Sequence, residues 1–401
     1  MNSFDNVKKL KFTSNQSKTS SMNKGFFAFI SLLLISHISI GQAVTKDYRI
    51  VSSAVPFLTL SPDSKAASLG DAGVASEADA ASIYWNTAKL TSAVGGSGIN
   101  VSYAPWLRDI IGDMGLMNIS GYHKLKDGMV LTGGFTYFDQ GNIQFTTNTG
   151  ADAGEFDSRE MALVAGLARK FSQDLSGGLN LKYISSNLTG NQVINGQASR
   201  PGKSVGADLS FFYHKDRPTD ELKKNDVAFG LAIQNIGGKI NYGLDKAYYL
   251  PTNLKVGMRY TLTPDVQNKF NFLLDFNKLL VPTPQEDNSL PNYSSIEGLF
   301  KSFGDAPGGF GEELREINSS VGAEYLYEDL LAIRAGYFFQ PQSKGGLKYA
   351  TMGVGVKLKE QYGIDLAYLI PTTSSNPLAN TWRISVNFLL PKKQVDDNIA
   401  E

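Results

Sequence analysis

Leu254-Lys255-Val256-Gly257-Met258-Arg259-Tyr260-Thr261-Leu262 is the stretch whose reading decides the fold. In an extended chain Leu254, Val256, Met258, Tyr260 and Leu262 share one face, and Lys255, Gly257, Arg259 and Thr261 share the other. The period is two, so this is a strand. One face is wholly apolar and the other carries two full charges. Facing lipid, Lys or Arg near the midplane costs roughly 2–4 kcal/mol. The charged face must therefore turn into an aqueous or polar lumen while the apolar face meets the membrane.

The same sorting recurs. Leu175, Leu179, Leu181 and Tyr183 oppose Ser176, Asn180 and Lys182; Val227, Phe229, Leu231 and Ile233 oppose Ala228, Gly230, Ala232 and Gln234; Trp382, Ile384, Val386 and Phe388 oppose Arg383, Ser385 and Asn387. Comparable runs fall at 98–105, 115–124, 129–139, 158–171, 175–186, 204–214, 226–236, 252–262, 269–279, 318–327, 330–340, 350–359, 362–370 and 379–390. Most are close to the ~9–11 residues that cross a bilayer at a tilt. The inward set would hold Lys182, Asp208, Lys255, Arg259, Asp275, Glu324, Arg334, Lys357, Asp365 and Arg383. A soluble sandwich cannot bury so many mixed charges, and in lipid only a closed sheet leaves no unpaired edge. The chain reads as all-β, a transmembrane antiparallel β-barrel of about 14 strands over residues 98–390.

The connections support that reading. Turns at Leu125-Lys126-Asp127-Gly128, Ser172-Gln173-Asp174, Glu328-Asp329 and Glu360-Gln361 are tight. Those spanning Gln140–Asp157, Asn187–Lys203, Gly237–Pro251, Leu280–Ile317, Pro341–Tyr349 and Pro371–Leu378 are long, the asymmetry of periplasmic turns against extracellular loops. His214–Asn225, a charged connection on the short side, is the exception.

Outside the barrel two segments differ in texture. Five lysines among the first 24 residues precede the apolar run Gly25–Ile40, and Ser39 and Gly41 supply small residues before Gln42. This predicts a secretory signal peptide, 1–41, cleaved near Gly41/Gln42, with Met1 and Met22 both possible initiators. No later apolar run reaches the roughly 18–20 residues of a transmembrane helix. Residues 42–97 have neither helical nor strand periodicity and contain Ser61-Pro62-Asp63 and Gly70-Asp71-Ala72-Gly73. A barrel of this width cannot be filled by its own side chains, so 42–97 is expected to form an N-terminal plug inside the lumen. Residues 391–401 would be a periplasmic tail after a terminal strand whose Phe388 is similar to a barrel-insertion signal.

Composition narrows the function. Lys+Arg and Asp+Glu are both 38, giving no electrostatic case for nucleic acid, and the absence of Cys excludes disulfides, thiolate catalysis and a lipid-anchored cysteine. His123 and His214 end strands, and no Ser–His pair suits a hydrolase. Gly202-Lys203-Ser204 lacks the first glycine of a phosphate loop, because Gln197 stands there. Glu286, Asp287, Glu297, Asp305, Glu312, Glu313 and Glu316 match no calcium-loop spacing and read as a solvated loop. Tyr137, Tyr183, Tyr260, Tyr325, Tyr337 and Trp382 read as interfacial anchors in outer-membrane lipid. The lumen charges are expected to pair with one another and with the plug. No enzyme activity, cofactor or metal is expected.

Several motifs carry a resemblance: Ala54-Val55-Pro56-Phe57-Leu58, Ser61-Pro62-Asp63-Ser64, Gly70-Asp71-Ala72-Gly73-Val74-Ala75, Trp85-Asn86, Asn277-Lys278-Leu279-Leu280-Val281-Pro282-Thr283-Pro284, Asp305-Ala306-Pro307-Gly308-Gly309-Phe310 and Arg334-Ala335-Gly336-Tyr337-Phe338. Together they resemble the PorV family, barrel subunits of the type IX secretion system of Bacteroidetes, itself similar to FadL-type transporters. Where the family reads Asn-Pro-Ala, this chain has Asn86-Thr87-Ala88. The resemblance implies a non-enzymatic outer-membrane shuttle. It would engage cargo bearing the C-terminal signal domain at a large outer-membrane translocon subunit and deliver it to an attachment complex with a PorU-like sortase. The alternative is a FadL-like transporter of hydrophobic small molecules. Cargo recognition would use the extracellular end, with Leu290, Phe300, Phe303 and Phe310 as exposed apolar residues and Pro371 and Pro377 in the last loop. Pro62, Asp63, Gly70, Asp71, Gly73, Trp85 and Asn86 would build the plug.

Overall fold

Fourteen antiparallel strands close into one barrel. The computed structural model describes residues 48–107, 112–146, 149–190, 192–194, 196–218, 224–287, 289–359, 361–372 and 381–390. The expected signal peptide and the tail 391–401 lie outside these residues. The barrel strands are β1 Ser97–Pro105, β2 Gly115–Lys124, β3 Met129–Thr146, β4 Asp152–Lys170, β5 Leu175–Asn187, β6 Gly202–Pro218 and β7 Lys224–Gly237. They continue as β8 Asn253–Thr263, β9 Asn268–Leu279, β10 Ile317–Tyr327, β11 Leu331–Phe339, β12 Lys348–Leu358, β13 Tyr362–Pro371 and β14 Trp382–Leu390. Each pairs with its sequence neighbours, and β1 closes on β14 from Ser97↔Leu390 to Tyr103↔Ile384.

The alternation is realised in space. Along β13, Ile364, Leu366 and Tyr368 are exposed to the outside while Asp365, Ala367 and Leu369 are buried toward the lumen. Exposed Val101, Ile119, Leu163, Leu181, Phe229, Val321 and Val354 continue the apolar outer surface around the barrel. Several of the inward charges pair, as ions removed from water are expected to. Lys182 meets Asp208 at 3.0 Å, Arg259 meets Asp226 at 3.2 Å, and Arg334 bridges Glu324 and Asp365 at 2.5 and 2.6 Å. Lys357 is only half-buried.

Two connections differ from the sequence expectation. Gln140–Asp157 is not a free loop, because β3 and β4 carry on through Thr146 and from Asp152 across a register shift between Asp139 and Asn142. Gly141, at φ 75°, takes the left-handed turn that lets the ladder resume. The His214–Asn225 connection is mostly strand, since β6 and β7 pair as far as Pro218↔Lys224. Two-residue ribbons at Val193–Ile194/Gln197–Ala198 and Ile240–Asn241/Ala247–Tyr248 rise from the long-loop end.

Before β1 come a 3-10 turn at Pro56–Thr59, helices α1 Ser64–Ser68 and α2 Ser82–Trp85, and a 3-10 turn at Thr87–Ser92. These short pieces pack against the strands, and most of their residues are buried, with Pro56, Thr59 and Ser92 exposed.

Candidate functional site

The lumenal segment is held by side chains reaching in from the wall to its backbone. Asp63 caps α1, accepting the Ala66 N–H at 2.9 Å, and its other oxygen accepts the Trp85 indole N–H at 2.6 Å. Pro62 is buried beside it. Gly70 (φ 69°) donates its N–H to Thr351 Oγ1 at 2.9 Å. The next carboxylate, Asp71, accepts the Tyr349 hydroxyl at 2.5 Å and stands 3.4 Å from the Arg383 guanidinium. The amides of Gly73 and Val74 both donate to Asp275 Oδ2, at 2.7 and 2.8 Å, a wall carboxylate cradled by two backbone N–H groups. Asn86 caps the 3-10 turn through Ala88 N–H at 3.1 Å and donates to the Phe211 carbonyl of β6 at 2.9 Å.

Thr87 occupies the first position of that turn, where proline is also favoured. Its hydroxyl donates to Asn180 Oδ1 at 2.9 Å, a tie proline could not make. Close approach shapes the wall as well. A Cβ on Gly336 would sit 2.1 Å from the backbone of Leu69 and Gly70, and one on Gly230 would sit 2.4 Å from the Val74 carbonyl. At these two positions only glycine lets the segment's main chain lie against the strand.

At the long-loop end the connection between β9 and β10 contains helices α3 Ser295–Lys301 and α4 Phe310–Arg315. The Ser294 hydroxyl caps α3 through the Glu297 N–H, and Glu312 and Glu313 occupy the first turn of α4. The acidic cluster expected to be solvated is divided. Glu286 and Asp287 are exposed, whereas Glu312, Glu313 and Glu316 are buried. Arg49 binds Glu312 in bidentate fashion at 3.0 and 2.8 Å, and Lys344 reaches Glu312 and Glu316 at 2.7 and 2.8 Å. Lys278 meets Glu313 and Glu316 at 2.8 and 2.5 Å. Burial alone would push the Glu312 carboxyl up, but Arg49, Lys344 and the Gly308 N–H outweigh it and hold it down at about 2. Burial, reinforced by Glu313 and Glu316, pushes the Asp305 carboxyl above its ordinary range.

Upon this polar base the apolar side chains stand free: Phe300 is 70% exposed, Phe303 50% and Phe310 77%. Leu290 is half-buried, lining a cavity of about 830 Å³ with Tyr242, Tyr248 and Tyr249, because the loop folds back onto the Ile240–Tyr248 ribbon. Pro371 ends β13, half-buried, and Pro377 lies outside the described residues. The loop-end and lumenal groups are thus separate, joined by the stretch that carries Arg49. Sequence reading missed Arg49, Lys278 and Lys344, whose partners are 263, 35 and 32 residues away.

The histidines make ordinary contacts: His123 Nδ1 lies 2.7 Å from Ser97 Oγ and His214 Nε2 lies 2.7 Å from Asp226. Among the described residues no group of acidic and histidine side chains is arranged to hold a metal, and no helix is long and apolar enough to cross a membrane.

A family model for the type IX secretion system protein PorV matches residues 43–286, more than half of the 401-residue chain. The chain belongs to the PorV family. Membership places it among type IX secretion proteins and its barrel in the outer membrane. A search of curated proteins gives no match. Among solved structures the chain is similar to the Pseudomonas putida toluene transporter TodX (14% identity, TM-score 0.44, covering 80% of this chain and 95% of that one). It is also similar to the CymD monoaromatic hydrocarbon channel (11%, 0.45, 86% and 100%) and to a Pseudomonas aeruginosa FadL homologue (10%, 0.41, 85% and 99%). The PorV match ends within the β9–β10 connection, so the helices bearing Phe300 and Phe310 lie beyond it.

Proposed function

We infer that this PorV-family barrel is a non-enzymatic cargo shuttle. It binds secreted proteins through their C-terminal signal domain at a large outer-membrane translocon subunit, then passes them to a surface attachment complex containing a PorU-like sortase. The observation that carries this reading is the contrast within the β9–β10 connection, where buried ion pairs fix a platform and Phe300, Phe303 and Phe310 are left in solvent. Exposed aromatics on a rigid base are what a protein interface needs, since little side-chain or loop ordering is lost on docking. The lumenal segment acts as a plug, its backbone bonded to β6, β9, β12 and β14. Residues 1–41 serve as the signal peptide.

A tagged form isolated from native outer membranes in mild detergent tests the reading. Mass spectrometry of the retained material should find a very large translocon subunit and secreted proteins sharing a C-terminal domain. Recovery of the barrel alone, with fatty acids or other lipids, would instead favour transport of hydrophobic small molecules.

A further inference from the structure

Beneath the long loops, between the lumenal segment and the wall, lies a second cavity of about 210 Å³, lined by Asp71, Trp85, Asn253, Lys255, Asn277 and Arg383 among others. That is many times the ~10–15 Å³ that one water requires. Its polar groups are incompletely used. Lys255 is only 4% exposed, yet its ammonium meets neither a carboxylate nor a hydrogen-bond acceptor. It lies 4.8 and 4.6 Å from the ring centres of Tyr84 and Trp85, contacts that favour a cation but supply no counter-charge.

Among the described residues no carboxylate bonds Lys255. Asp275 accepts the Gly73 and Val74 amides on Oδ2 and keeps a buried, unpartnered Oδ1, Asp208 is taken by Lys182 and the Asn235 amide, and Asp71 by Tyr349 and a long contact to Arg383. Arg383, 1% exposed and lying over the Trp106 ring, keeps an unpartnered Nε. Asn253, Asn277 and Asn318 each have an unpartnered side-chain oxygen. An amide turned by 180° keeps its shape, so each of the three presents either a donor or an acceptor.

Buried ions and amides are as a rule satisfied, because leaving them unpaired forfeits their hydration with nothing in return. Here Lys255 and Arg383, against the single lining carboxylate Asp71, border the same space with three asparagines, and its remaining walls include Leu60, Trp106, Leu279 and Phe338. We propose that this cavity binds a small organic carboxylate, its oxygens on Lys255 and Arg383 with the asparagine amides around them, and its carbon body against the tryptophan and leucine walls. The site is independent of the shuttle reading, and its failure would leave that reading untouched.

Two of the three tryptophans, Trp85 and Trp106, line the cavity, so their fluorescence reports occupancy. The experiment titrates the full chain in detergent with sodium butyrate, with butyramide as the neutral isostere and sulfate as the inorganic anion. Butyrate should give a saturable change and raise the melting temperature of the folded barrel, as a ligand of the native state must, while butyramide and sulfate should give neither. Lys255→Met should weaken the butyrate response at least tenfold while melting no lower than the parent. Absence of saturation, an equal response to butyramide, or an unchanged response in Lys255→Met would overturn the proposal, and an equal response to sulfate would overturn its carboxylate part. Should Lys255→Met fail to fold, Lys255→Arg, which keeps the charge, must retain the butyrate-dependent melting shift, and its loss would equally count against the site.

Discussion

The lumenal segment and the β9–β10 connection are both irregular, helix-poor stretches, yet they solve opposite problems. Inside, main-chain groups of residues 64–88 meet wall side chains such as Ser385, Thr351, Asp275 and Ser210, and glycines give the main chain room. Outside, charged side chains are spent on one another, Glu312, Glu313 and Glu316 against Arg49, Lys278 and Lys344, and the aromatic rings are left over. The lesson is that polarity buried at the base of a loop is what allows apolarity at its tip: the ion pairs hold α4 without needing Phe310 in a core.

The comparison breaks hardest at the wall. Gly336→Leu puts a branched side chain where the Leu69–Gly70 backbone runs at 2.1 Å, and neither backbone can yield cheaply. The heat-modifiable folded band on semi-native gels should be lost or should melt well below the parent. Gly363→Ala, whose added carbon would stand 3.4 Å from Asn387, should leave that band unchanged.

Next in size is Arg49→Ala. Removing one partner of a buried ion pair typically costs about 3–5 kcal/mol when the other charge is left unpaired; Glu312 keeps Lys344 and the Gly308 N–H, so the cost here is smaller and falls on α4. Limited proteolysis should cut within 302–316 while the barrel band persists. If the barrel melts together with α4, the two regions are not independent.

A milder version of the same test uses acid. The Glu312 carboxyl is depressed from an ordinary 4.5 to about 2 in the folded protein, so its contribution is fully present above about pH 4.5 and fades as pH falls toward 2. Protease sensitivity of 302–316 should rise across that window in the parent and be pH-insensitive there in Glu312→Gln. The smallest effect on folding belongs to the triple change Phe300→Ser, Phe303→Ser, Phe310→Ser. Exposed substitutions of this kind usually move stability by no more than about 0.5 kcal/mol each, and secretion of signal-domain cargo should nonetheless fall. Unchanged secretion would remove this platform from the recognition surface.

Most of the strands were legible because the barrel has two chemically opposite surroundings, and residues such as Val256 and Lys255 are sorted between them with a period of two. Where both faces meet water the sorting stops, which is why β3 and β4 beyond Gln140 read as loop. α3 and α4, seven and six residues long, are too short to show a helical period. The acidic cluster was misread because burial depends on partners: nothing local to Glu312 announces Arg49, 263 residues earlier. Likewise the Gly73 and Val74 amides bind a carboxylate some 200 residues on, a pairing only the closed barrel creates.

The path of the chain ahead of β1 has a consequence in the parity of crossings. Arg49 and Ala54 bond to the long-loop end, at Glu312 and Tyr249, whereas Gly96 bonds to Leu390 and Lys124 at the short-turn end. With that segment as the proposed plug, the chain traverses the barrel once more, and an even number of strands becomes an odd number of passages. Residue 48 and residue 390 consequently face opposite compartments. Because the chain has no cysteine of its own, a single thiol introduced at Tyr48 should react with a membrane-impermeant maleimide on intact cells, while one at Leu390 should stay silent until the outer membrane is breached.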